Sequence, residues 1–285
     1  MKKTFKSVYI ALILLFLYAP IAVMIALSFN ASKSRAVWGG FSLTWYAQLF
    51  DSPEIMQALQ VTLTVAVLAT LVATVIGSLG AIGIHAMKTG RANALINLSY
   101  LSMTTPDIAT GVSLMLLFVV FNRQVSAALS WLLQREVDFQ GFGLCTLLIA
   151  HITFCLPYVI FNVSPKLRQL DGSLYNAALD LGCTPRQAFF KVILPQLSPA
   201  VMSAFLICLT YSIDDFMISY FNCGTMQTLP IAIYSMTRKK VSPEINALSA
   251  IIFLVILAII LTSNAMDSRA YKRNQKAIRR AAAEQ

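Results

Sequence analysis

The chain has 285 residues, of which 58% are hydrophobic and 12% charged, and it carries a net charge of +10. A soluble domain holds about twice that charged fraction, so the composition excludes an ordinary soluble enzyme and points to an integral membrane protein. The five cysteines form no CxxC pair and no basic run is interleaved with aromatics, which argues against a disulfide framework, a zinc site and a nucleic-acid surface.

Six apolar blocks follow one another, at about 8–28, 60–84, 97–121, 142–163, 199–221 and 245–266. None alternates as a strand does, and only helices or closed barrels satisfy their backbone in lipid. The expected fold is all-α: one membrane domain over residues 1–285 with six transmembrane helices. The first block follows Lys2, Lys3 and Lys6, contains Pro20, and is longer than the roughly 7–15 apolar residues of a signal peptide. It reads as an uncleaved span. In the loop after it, Trp45 and Tyr46 follow Ser42, a plausible cap. They suit an interfacial aromatic belt or an outer gate offering cation–π contacts.

The second block carries Ala66, Ala69, Ala73, Gly77, Gly80 and Gly83, a stripe that lets helices approach closely. In the third, Asp107 follows Pro106 and is expected near mid-depth. In the fifth, Asp214 and Asp215 are expected towards the outer side, pointing about 100° apart. A carboxylate inside a span costs about 2.5–3.5 kcal/mol on insertion scales, so it usually faces a cavity or a partner. The alternative is that these acids cap helix ends or hydrogen-bond within the bundle. His85 and His151 stand alone and read as packing or interface residues. Ser242-Pro243-Glu244 opens the last helix.

With both termini inside, the inner segments hold 15 of the 22 basic residues, including Lys88, Arg91, Lys166, Arg168 and the tail from Arg269 to Arg280. The cluster Arg238-Lys239-Lys240 opposes that bias. Residues 164–197 then form the longest inner loop. Ser173 is expected to cap a helix whose Leu174, Ala177, Ala178 and Leu181 share a face. Gly182 suits the left-handed position that ends it. Thr184-Pro185 starts a second helix with Phe189, Val192 and Ile193 on its apolar face, and Pro195 is expected to stop it. Such a pair can lie on the membrane, pack beneath its own spans, or enter a groove on a partner. The basic tail, 267–285, reads as a surface helix or a solvated end.

Asn176-Ala177-Ala178, then Gly182, then Val192-Ile193-Leu194-Pro195, resembles the EAA motif of ABC importer permeases, with every spacing met. Asn176 stands where that family has Glu, and Val192 where it has Ile. SFNASKS, GGFSLTWY, TPDIATGVSLMLLF, HITFCLPYVI, YSIDDF, LPIAIYSM and VSPEINALSAI extend the likeness to PotC-type permeases of spermidine/putrescine importers. The resemblance implies a type I importer fold whose loop 164–197 holds a coupling helix docked on an ATPase subunit. It implies polyamine handling by Asp107, Ser212, Asp214 and Asp215, with the Trp45-Tyr46 pair as gate. The implied partners are an ATP-binding subunit dimer carrying ATP and Mg, a second permease of PotB type, an extracytoplasmic polyamine-binding protein and membrane lipid.

The chain has no G-x-x-x-x-G-K-[ST] and no catalytic or metal-ligating constellation, so neither its own ATPase site nor a cofactor is expected. The expected function is polyamine import by alternating access in the bacterial inner membrane. The rivals are another small organic cation as cargo, a scaffold subunit, or a membrane enzyme.

Overall fold

The computed structural model describes residues 2–34, 37–135, 141–239, 243–258, 260–262 and 265. The basic tail, Ser242 and Lys240 lie outside them. Among the described residues there is no strand, only an isolated antiparallel bridge between Asn30 and Phe41. Six helices are long and apolar enough to cross a membrane: Phe5–Ser28, Pro53–His85, Asp107–Leu133, Leu144–Gln169, Pro185–Asp214 and Glu244–Thr262. The residues gather into two compact units, residues 1–60 with 229–258, and residues 61–228 with 259–285.

The first unit holds α1 (Lys2–Ser28), α2 (Thr44–Asp51), the first turns of α3 (Pro53–His85), a later helix Leu229–Lys239 and most of Glu244–Thr262. Leu49, Ile55, Ala58, Leu229, Ala232 and Leu248 form its core. Asn30 organises the loop after α1. Its Oδ1 accepts from Ser32 N at 3.1 Å and Gly39 N at 2.7 Å, while its Nδ2 donates to Val37 O at 2.9 Å and Ser34 O at 3.3 Å. A buried amide with all its bonds made fixes a loop firmly.

The second unit holds the rest of α3, then α4 (Thr89–Thr104), α5 (Asp107–Leu133), α6 (Leu144–Gln169) and α7 (Ser173–Asp180). It continues through α8 (Pro185–Ala188), a π-turn (Phe189–Ile193), α9 (Leu194–Asp214) and α10 (Met217–Asn222). Its main core joins Ala73 and Ala81 of α3 to Cys155, Val159, Val163, Leu197 and Ala204. The small-residue stripe sets this contact. A Cβ at Gly77 would lie 2.7 Å from Val159 Cβ.

Two spans are placed differently from the sequence reading. The third, expected over 97–121, breaks at Thr105-Pro106, because a residue before proline is driven out of the helical region and Thr105 is extended. Asp107 therefore opens α5 in its first turn instead of sitting in mid-span. The fifth, expected over 199–221, ends at Asp214, and 217–222 form the separate helix α10. Its other end begins earlier, since Pro195 does not stop the chain. A proline removes an N–H and crowds the carbonyl four residues back. Here that residue, Lys191, lies in the π-turn, whose wider helix absorbs the defect, so α8 runs on into α9.

Candidate functional site

The break after Asp214 separates the two adjacent acids. Asp215 is extended, and its carboxylate turns back onto the next helix. Oδ2 accepts from Ser219 N at 2.7 Å and Oδ1 from Ile218 N at 3.3 Å, so Asp215 caps α10. Its side chain is 6% exposed and lies 3.6 Å from His151 Nε2. His151, on α6, stands within hydrogen-bond distance of Ser212 Oγ through Nδ1 at 2.7 Å and of Ser219 Oγ through Nε2 at 3.0 Å. A neutral imidazole has one donor and one acceptor, and two hydroxyls satisfy it in either tautomer. This buried strap ties α6 to both sides of the break. Ser212 is only 2% exposed and its hydroxyl is engaged. The sequence marks His151 as a packing or interface residue, and it is packed, but its bonding partners are not visible there. The available signal was a lone polar ring in an apolar span, where such groups are rare without partners.

Asn222 completes the support of α10. Its Nδ2 donates to Gly111 O on α5 at 3.2 Å, and its main-chain carbonyl accepts from Thr146 Oγ1 on α6 at 2.9 Å.

Asp214 closes α9 and is exposed, as is Asp107 at the start of α5. Tyr211 lies three residues before Asp214 on one face of α9. Its ring centroid is 4.9 Å from that of Tyr158 on α6, and Phe154 lies 5.3 Å from Tyr158. The Asp107 carboxylate is within Coulombic range of Tyr158. The second unit thus pairs Tyr158 with Tyr211, with Asp214 one turn beyond Tyr211 and Asp107 on the Tyr158 side; these four are the acid band, which the sequence did not reveal because the two tyrosines lie far apart in the chain. Asp215 and Ser212 are turned inward from it.

In the first unit, Trp45 is 5% exposed and donates from Nε1 to Asn30 O at 2.6 Å. The Tyr46 hydroxyl meets Ser28 Oγ at 2.7 Å, and its ring lies 5.3 Å from that of Phe29. Both aromatics are anchors of the Asn30 loop.

The loop after α6 has the expected helix, glycine, helix order. Its first cap is Asp171, not Ser173. Asp171 Oδ1 accepts from Ser173 N at 2.9 Å, and that bond holds the carboxyl below its ordinary pKa. Gly182 has φ +85°, with Gly182 N donating to Leu179 O at 2.9 Å and Cys183 N to Ala178 O at 3.1 Å. Those two bonds make a Schellman end. Thr184 and Gln187 then form a reciprocal capping box. Ala178 and Ala188 face inward, while Asn176, Ala177 and Gly182 are exposed and Val192 and Leu194 half-buried. Leu181 is 87% and Phe190 62% exposed, so two large apolar side chains stand outward among the polar groups of the loop.

An all-helical fold of six membrane-length helices, two spans broken at an acid, and a capped two-helix loop are those of a membrane permease. Residues 73–274 match the family described as binding-protein-dependent transport system inner membrane component, and the chain belongs to that family. It is 36% identical over 270 residues to the putrescine transport system permease protein PotI of Escherichia coli K12, covering 93% of this chain and 92% of the relative. It is 34% identical over 259 residues to the spermidine/putrescine transport system permease protein PotC of Haemophilus influenzae, covering 90% and 94%. Among solved structures it resembles a chain of a bacterial alginate ABC transporter in complex with an alginate pentasaccharide-bound periplasmic protein. That likeness has a TM-score of 0.69 and 20% identity, covers 94% of each chain, and concerns the fold.

Proposed function

We propose that this chain is a permease subunit of an ATP-driven importer for polyamines such as putrescine and spermidine. The observation that carries the reading is the band Asp107, Tyr158, Tyr211, Asp214. Its two carboxylates stay exposed while the third acid is used up in capping. Ammonium groups shedding water need strong acceptors, and carboxylates supply charge-assisted ones. Aromatic faces between them hold a methylene chain and its charges without trapping them. The names of the relatives carry the same cargo. Ser212 and Asp215 position the band through His151, and Trp45 and Tyr46 shape the outer loop.

Both termini lie in the cytoplasm in this reading, and the loop of α7 and α8 docks on an ATP-binding subunit dimer where ATP and Mg are bound. A second permease and an extracytoplasmic polyamine-binding protein complete the machine. α8 to α9 is one helical path of 30 residues from the loop to Asp214, about 45 Å at 1.5 Å per residue. Movement of the docked loop reaches the acid along that rod, which is how closure of the ATPase changes access to the band.

Uptake of radiolabelled putrescine by cells expressing all subunits tests this. Asp107→Asn and Asp214→Asn each reduce uptake about tenfold or more at normal membrane levels, since a charge-assisted bond contributes about 1.5–3 kcal/mol. Unchanged uptake in both variants refutes the path. If the wild type moves another cation and no polyamine, the cargo assignment fails and the machine stands.

A further inference from the structure

A second candidate site lies in the second unit, where α3 ends, α4 begins and α6 closes. A cavity of about 280 Å³ is lined there by His85, Thr89, Asn93, Ser164 and Arg168 together with Ile84. A second cavity, of about 320 Å³, shares Ile96, Ser164 and Arg168 with the first and continues between α4 and α6 past Ile160 and Phe161. The first mixes Arg168 and these polar groups with Ala81, Met87, Ala92 and Ile96. The second is walled mainly by hydrocarbon and aromatic side chains.

Three features favour an anion beside Arg168. Arg168 offers a planar fork of donors suited to phosphate. Among the described residues no acid lines either cavity and no carboxylate pairs with Arg168. α4, sixteen residues long, begins beside this cavity with Lys88 in the capping position and no side-chain cap, and Thr89, Ala92 and Asn93 of its first turns line the cavity. Lys88 and Arg91 flank that start and are exposed. A free phosphate has no use for the apolar channel that continues from the site. A glycerophospholipid matches both halves, with its phosphate at Arg168 and an acyl chain along Ile96, Ile160 and Phe161. Basic pockets between membrane helices are suited to such headgroups.

The geometry points to a bound anionic phospholipid in this cleft, with Arg168 as its phosphate ligand. Occupancy fastens the start of α4 to the end of α6, immediately before the loop that opens with Asp171. The site is separate from the acid band and uses none of its residues.

Native mass spectrometry of the purified full transporter, titrated in detergent with dioleoylphosphatidylglycerol or dioleoylphosphatidylcholine, tests the inference. The wild type retains phosphatidylglycerol at lower concentration than phosphatidylcholine. Arg168→Gln weakens phosphatidylglycerol retention about fivefold, the effect of removing one interfacial cation. Arg168→Lys recovers most of it, and Ile96→Trp, which fills the channel, weakens both lipids. Equal phosphatidylglycerol retention by wild type and Arg168→Gln overturns the site. Displacement of the lipid by millimolar inorganic phosphate overturns it in favour of a free-anion site. Release of the ATP-binding subunit by Arg168→Gln, with lipid retention unchanged, overturns it in favour of a protein contact.

Discussion

His151 shows how much one side chain can decide. It sits on α6 with both ring nitrogens engaged, one on each side of the gap between α9 and α10. Truncating it leaves the hydroxyls of Ser212 and Ser219 buried without that partner. Each buried polar group so stranded costs about 1–3 kcal/mol. His151→Ala therefore lowers the unfolding temperature of the solubilised transporter, and Ser212→Ala, which strands only one ring nitrogen, lowers it less. A wild-type melting profile for His151→Ala would remove the strap from the account. The same reasoning explains the neighbouring acids. Asp215 is committed to the amides of Ile218 and Ser219, which leaves Asp214 as the acid of the pair with an open carboxylate.

Helix contacts in the second unit depend on how closely backbones approach. Gly77 leaves room for Val159, whose Cβ would be 2.7 Å from any added methyl. Overpacking of a tight contact costs about 1–3 kcal/mol. Gly77→Ala lowers the stability of the solubilised chain by that order, and in combination with Val159→Gly, which removes both clashing atoms, the loss is smaller than the sum of the two single losses. Thermal unfolding of the single and double variants measures the coupling, and strictly additive losses would show that the contact is not the cause. This stripe was legible in the sequence because small residues recur there at helical spacing. So was the order α7, Gly182, α8, since local rules at Gly182, Thr184 and Pro185 agree with one another. Less legible were features that depend on distant partners. Asp215 became a cap because α10 lies within its reach, and Trp45 became an anchor because Asn30, fifteen residues earlier, offers its carbonyl. Pro195 misled the reading because a local rule about proline yields where a π-turn absorbs the missing bond.

In the proposed function, a chain with no ATP-binding motif of its own takes part in driven transport through one continuous path within the second unit. The loop presents Leu181 and Phe190 outward beside a rigidly capped turn, and the helix leaving that loop ends at Asp214. Two large apolar side chains so exposed contribute little to the fold of the lone subunit. They gain about 1.5–3 kcal/mol each when a partner covers them. Leu181→Ser and Phe190→Ser therefore leave the chain folded and inserted, yet weaken its co-purification with the ATP-binding subunit on the order of tenfold or more. Uptake falls in parallel, while the purified variants keep the wild-type unfolding temperature. If the ATP-binding subunit stays bound as before, these two side chains serve the lipid surface instead, and the rod from loop to acid loses its driver.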